Sequence, residues 1–167
     1  RYERKFILNE INQFKAESFI YHNTAIFSEI FQKRKVNNIY FDSLNLNNYN
    51  DNIIGNSPRK KIRIREYPQS KSQKYYLEIK TSSVEGRYKT RREIDKERFT
   101  EYKNLGLLDS DYGTCLANYF VSYERQYALI DDIRISIDEK ISYTNFKTNK
   151  IYFDNNSIVE LKTSINK

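Results

Sequence analysis

Apolar and polar residues alternate with a two-residue period along most of the chain, which places them on opposite faces of extended strands. Residues 59–67, 74–81 and 87–93 show the pattern most plainly. The polar stretch 69–73, preceded by Pro68, and the stretch 82–86 ending in Gly86 read as the hairpin loops between them. Strands are also predicted at 2–8, 36–42, 116–130, 133–141, 150–154 and 158–163, with tight joins at Asp131-Asp132 and Asn155-Asn156. Helical spacing is confined to three places. Ile11, Phe14, Phe19 and Ile20 predict a helix over 10–21, residues 25–31 a second short one, and Phe99, Tyr102 and Leu105 one over 95–107. The Asn-rich segment 46–54, closed by Gly55, reads as a loop or a short helix. No linker, internal repeat or heptad pattern interrupts residues 1–167. The expected fold class is therefore α+β, one mainly antiparallel β domain with a few helices.

The polar faces are unusually basic. In 59–65, Arg59, Lys61, Arg63 and Arg65 oppose Ile62 and Ile64. Glu78 and Lys80 oppose Leu77 and Ile79; Arg134, Ser136 and Asp138 oppose Ile133, Ile135 and Ile137; Glu160 and Lys162 oppose Val159 and Leu161. Glu3 and Lys5 likewise oppose Phe6 and Leu8. A single such strand is an ordinary half-solvated sheet face. Five with one bias point further, because Arg presents a planar fork of donors suited to phosphate and adjacent cations repel unless an anion lies between them. A sheet curled about that face forms a basic tunnel, its apolar side turned outward under helices. The carboxylates within it, Glu3, Glu78, Asp138 and Glu160, suit a hard divalent cation.

Composition supports an enclosed site. Among 167 residues, 29 Lys and Arg against 22 Asp and Glu leave a net charge of +7, which calls for an anionic partner. Aromatic content of 15% with only 4 Gly and 2 Pro excludes a disordered chain, and no apolar run reaches membrane-spanning length. The proposed tunnel set adds Arg91 and Arg125 to the cations above. With most of the excess charge inside it, the exterior is left nearly neutral, which argues against a broad nucleic-acid or membrane surface. Most of the 15 Tyr and 10 Phe fall on predicted apolar faces and are expected in the core rather than stacked on bases. Cys115, the single cysteine, allows no intrachain disulfide and reads as a buried small hydrophobe. His22, the single histidine, is expected at the surface, with too few partners for a zinc site or a catalytic triad. The absence of Met suggests a piece trimmed from a longer product.

Taken in order, Tyr2-Glu3-Arg4-Lys5-Phe6, Ile39-Tyr40-Phe41-Asp42, Lys61-Ile62-Arg63-Ile64-Arg65-Glu66-Tyr67, Leu77-Glu78-Ile79-Lys80, Ser122-Tyr123-Glu124-Arg125, Arg134-Ile135-Ser136-Ile137-Asp138 and Val159-Glu160-Leu161-Lys162 resemble the CYTH, or triphosphate tunnel metalloenzyme, superfamily. Within it the chain most resembles the VTC domain, a polyphosphate polymerase. The resemblance implies an eight-stranded antiparallel barrel forming a basic tunnel, with helices packed outside. It implies metal-dependent transfer of the γ-phosphate of ATP to a growing inorganic polyphosphate chain. Lys5, Arg63, Arg65, Lys80, Arg125, Arg134 and Lys162 would contact phosphates, with Arg59, Lys61 and Arg91 as looser assignments. Glu160 would bind manganese or magnesium, with Glu3 and Glu78 as helpers or as partners of the basic residues. Lys5, Arg63, Arg65, Lys80, Arg125 and Glu160 form the implied catalytic set. The superfamily's Glu-x-Glu-x-Lys signature is incomplete, since Arg1 stands at its first position, and this favours the VTC branch. Relatives often continue past the position of Lys162 into a further helix. A triphosphatase and a non-catalytic polyphosphate- or nucleotide-binding module are the alternatives, with nucleic-acid binding last. The expected location is cytoplasmic, with docking to a membrane protein at the cytoplasmic face of a membrane as an option.

Overall fold

The computed structural model describes residues 2–23, 27–29, 31–70 and 72–163. Among them run ten strands and three helices: β1 Tyr2–Leu8, α1 Glu10–His22, β2 Arg34–Asp42, α2 Asn47–Ile54, β3 Arg59–Glu66, β4 Tyr75–Ser83, β5 Gly86–Ile94, α3 Lys96–Leu105, β6 Leu107–Asp109, β7 Gly113–Ile130, β8 Ile133–Asn145, β9 Ile151–Asp154 and β10 Ser157–Thr163. They group into two compact units. The first comprises Arg1–Val36, Ser122–Ser142 and Tyr152–Lys167; the second, Asn37–Val121 and Tyr143–Ile151. No helix among the described residues is long and apolar enough to cross a membrane.

The second unit is built on the antiparallel order β2-β3-β4-β5. Its registers bring Ile39 opposite Ile64, Ile62 opposite Ile79 and Tyr75 opposite Ile94, so apolar residues of matching parity share one face. That face forms a core with Phe41, Leu107 and Cys115. Helix α3 lies against it, Phe99 stacking on Tyr75 with ring centroids 4.0 Å apart. Asp95 caps α3 by accepting from the Arg98 N–H, and the N–H of Gly106 donates to the Tyr102 carbonyl at the other end. The helix predicted to 107 therefore stops at Leu105. Gly106, at φ +85°, turns the chain so that Leu107–Asp109 pairs with Gly113–Cys115 of β7, a strand the periodicity did not predict. The Asn-rich segment is helix α2. The Asp42 carboxylate accepts from the N–H groups of Asn48 and Tyr49, and the Asn52 amide donates to the Lys60 carbonyl.

In the first unit β1 pairs antiparallel with β10, and β10 with β8. Val36, Tyr123, Tyr127, Ala128, Ile137, Ile141 and Val159 are buried. Asn9 caps α1 by accepting from the Asn12 N–H, and Gln13 anchors the helix by bonding Glu139 and Ser157. Most Tyr and Phe are buried or half-buried, as expected, but a substantial group is not. Phe14, Phe19 and Tyr21 of α1 and Tyr2 and Phe6 of β1 are exposed, as are Tyr49, Tyr88, Tyr152 and Phe153 elsewhere. Helix α1 has no fully buried residue, and every residue of β1 except Leu8 is exposed. The helix predicted over 25–31 falls partly outside the described residues; within it, Ser28 makes an isolated antiparallel bridge with Leu129. Arg1 of the N-terminal signature also lies outside them. His22 is exposed and Cys115 buried, as expected.

Candidate active site: two basic clusters

Strand alternation in β3 sends Ile62 and Ile64 to the core of the second unit and leaves Arg63 and Arg65 on the opposite face. Pairing then assembles the first cluster by rungs. Tyr40, Arg63, Glu78 and Arg91 lie side by side across four strands, and Lys61, Lys80 and Lys89 form the next rung. The Arg63 guanidinium donates to Glu78 Oε2 through Nε at 2.8 Å and through its terminal nitrogen at 2.6 Å, and to the Tyr40 hydroxyl at 3.1 Å. Lys89 Nζ reaches Glu78 Oε1 at 2.6 Å, and Arg91 Nε stands 3.6 Å from the same oxygen. Arg65 donates to Asn38 Oδ1 at 2.8 Å, while Arg91 lies over the Tyr76 ring at 3.8 Å. One carboxylate thus stands among six cations: Lys61, Arg63, Arg65, Lys80, Lys89 and Arg91.

Glu78 is 1% exposed. Burial alone would raise its carboxyl, but the charge of Arg63, the bond from Lys89 and the charge of Arg65 hold it down at about 2. It is ionised at any physiological pH and keeps the facing guanidinium oriented. Arg59 takes no part in this arrangement; it donates to the Asn56 carbonyl at 2.9 Å, just past the end of α2.

The first unit carries the second cluster. Glu3, Lys162 and Arg134 share one rung of β1, β10 and β8, and Lys5, Glu160 and Ser136 share another. Lys162 donates to Glu160, and Lys5 Nζ stands 3.6 Å from it. Arg125 forms a two-pronged ion pair with Asp138 and lies over the Tyr123 ring at 5.1 Å. Glu160 is buried, which would raise its carboxyl. A hydrogen bond with Glu3, the bond from Lys162, and the charges of Lys162 and Lys5 bring it to about 2 instead. Burial lowers the Lys162 ammonium, its bond to Glu160 opposing that trend.

Among the described residues no group of three or more His, Cys, Asp and Glu side chains is placed to hold a metal ion. A site completed by substrate is a different case. Glu3 and Glu160 sit on neighbouring rungs of one face of the β1–β10 pair, with Lys5 and Lys162 each within 4 Å of both. Lys162 and Lys5 supply the positive charge beside both carboxylates, and with those ammonium groups engaged by phosphate the oxygen donors of Glu3 and Glu160 would suit a hard divalent cation. Glu78 is likewise engaged by cations, Arg63 and Lys89.

Lys89 was not singled out from the sequence, although 87–93 alternates and the hairpin at 82–86 fixes its register. The signal was present in the shared parity of Arg87, Lys89 and Arg91. Tyr40 and Asn38, which orient Arg63 and Arg65, required the β2–β3 register.

Residues 1–112 match the VTC domain family. The chain belongs to that family. No curated protein matches this VTC domain. Among solved structures it is similar to a candidate adenylate cyclase of Bacillus halodurans, at 12% identity and a TM-score of 0.67 over 97% of this chain and 79% of that one. A Pyrococcus horikoshii protein whose name states no activity aligns at 13% identity and a TM-score of 0.60, over 99% and 80% of the two chains. A candidate adenylate cyclase of Vibrio parahaemolyticus aligns at 11% identity and 0.58, over 100% and 78%. At these identities the likeness is one of fold alone.

Proposed function

We propose that this VTC domain is an enzyme of triphosphate chemistry that transfers the γ-phosphate of ATP to the end of a growing inorganic polyphosphate chain. Family membership supports the reaction class, and the observation that carries it to these residues is the cationic ladder around Glu78. We take residues 1–167 as one tunnel domain and the cytoplasm as its setting.

An oxygen of the terminal polyphosphate group attacks the γ-phosphorus. The new P–O bond forms as the bond to the β-phosphate oxygen breaks, and ADP leaves with that electron pair. The nucleophile is already an anion, so the step needs no general base. It needs alignment and stabilisation of charge on the transferring oxygens, which fixed guanidinium and ammonium groups supply without reorganising. Arg63 is held in place by Glu78 and Tyr40, and Arg65 by Asn38, so both present fixed positive charge to phosphate. Lys61, Lys80, Lys89 and Arg91 add charge along the chain; Lys5, Arg125, Arg134 and Lys162 do the same in the first unit. A manganese or magnesium ion, held by Glu160 and Glu3, would neutralise phosphoryl oxygens.

With ATP, manganese and a short polyphosphate primer, gel electrophoresis should resolve products longer than the primer. Arg63→Ala should lower that rate by roughly a hundredfold or more, while Lys15→Ala on α1 leaves it unchanged. Consumption of ATP with no product longer than the primer would overturn the polymerase reading. Release of free phosphate in that case would favour a triphosphatase. Glu160→Gln tests for a binding module. Turnover should vanish, whereas metal-free polyphosphate binding should persist.

A further inference from the structure

The face of the second unit opposite the cationic ladder holds a cavity of about 420 Å³ that the phosphoryl chemistry leaves unused. This volume is in the range of small-molecule sites. Tyr75, Phe99, Phe120 and Phe146 give it aromatic walls, and Ile39 and Ile64 line it from β2 and β3. Strand parity sets most of its lining apart from the cationic face, with Asn38, which accepts from Arg65, bordering it as well. Asn37, Glu66 and Tyr75 occupy one rung across β2, β3 and β4, and the adjacent rung of Asn38, Arg65 and Tyr76 faces the other way.

The polar groups of the cavity are unevenly engaged. Glu66 accepts from the Asn37 amide at 2.9 Å and from Gln73 at 3.3 Å. Lys103, one helical turn after Phe99 on α3, also lines the cavity, and its ammonium makes no hydrogen bond or ion pair with the described residues. Thr144 contributes a hydroxyl in the same condition. We propose that this cavity is a binding site for a planar aromatic anion, its ring set among Tyr75, Phe99, Phe120 and Phe146 and its acidic group bonded to Lys103 and Thr144. The Glu66 carboxylate repels that acidic group and so fixes the ligand's direction, with the anion at the α3 side.

The probe is 1-anilinonaphthalene-8-sulfonate, an aromatic anion whose fluorescence rises in apolar surroundings, titrated into the 167-residue chain. One saturable site per chain is expected. Lys103→Gln should weaken it by roughly tenfold, the effect of losing one charge-assisted hydrogen bond. Glu66→Gln should tighten it, and Thr144→Phe should abolish it by filling the cavity. Excess inorganic tripolyphosphate should not displace the dye, and Arg63→Ala should leave its affinity unchanged. Circular dichroism checks that each variant is folded; should Thr144→Phe fail, the opposed effects of Lys103→Gln and Glu66→Gln still decide the matter. Equal affinity in those two variants and the wild type, binding of several dyes per chain, or displacement by tripolyphosphate would each overturn the proposal.

Discussion

Glu78 carries its ionisation into the stability of the fold. Its folded value of about 2 lies below the ordinary 4.5. An acid depressed on folding stabilises the native state above its unfolded value, and that contribution is lost as pH falls from 4.5 towards 2. The full shift corresponds to roughly 3 kcal/mol. Urea midpoints of the wild type should therefore fall between pH 5 and 2.5, and those of Glu78→Gln should fall less steeply. At neutral pH the same variant leaves Arg63 buried without its carboxylate and should be less stable by about 3 kcal/mol. Added tripolyphosphate should raise its melting temperature more than it raises that of the wild type, because phosphate oxygens replace the missing acceptor. Cys115 offers a simpler check. Burial first, then the charges of Asp109 and Asp42, push its thiol up to about 11. It should resist a thiol-specific disulfide reagent in the native state and react fully in denaturant.

At the scale of elements, Gly106 is the most exacting position. A Cβ there would meet the Cys115 carbonyl oxygen at 2.6 Å, on a backbone already at φ +85°. Gly106→Ala should cost about 2 kcal/mol or more by denaturant titration, and it should loosen the pairing of β6 with β7. The sequence made the long strands legible because apolar parity is a strong signal; β1 has the predicted bounds, and β3 differs by a single residue. It made β6 illegible because three residues carry no period, and Leu105 to Leu107 continue the helical spacing of α3. For α2 the buried side is polar. Asn48 and Asn52 spend their amides on backbone carbonyls while Tyr49, Ile53 and Ile54 face outward, so hydrophobic spacing alone left helix and loop undecided. The candidate site was legible as a set of cations on one parity. Which carboxylate each cation serves depended on register and side-chain reach, as Lys89 illustrates.

Across the whole chain the charge is unequally shared. The second unit holds 17 Lys and Arg against 11 Asp and Glu, a net +6, whereas the first holds 12 against 11, a net +1. Polyphosphate binding should accordingly depend steeply on salt. Between about 50 and 200 mM sodium chloride, calorimetric affinity for long-chain polyphosphate should fall by roughly tenfold or more, as counterion release requires for a multi-cation contact. Neutralising cations in the second unit should flatten that slope more than neutralising the same number in the first. Strand β5 gives this distribution a further consequence. It ends the β2-β3-β4-β5 order, seven of its nine residues are exposed, and it carries Arg87, Lys89, Arg91 and Arg92. A terminal strand with free backbone groups invites pairing with another molecule, and clustered cations prevent it by mutual repulsion. The side chains offered to phosphate therefore also keep copies of the chain apart, and a polyanion that neutralises them removes that protection at the same strand.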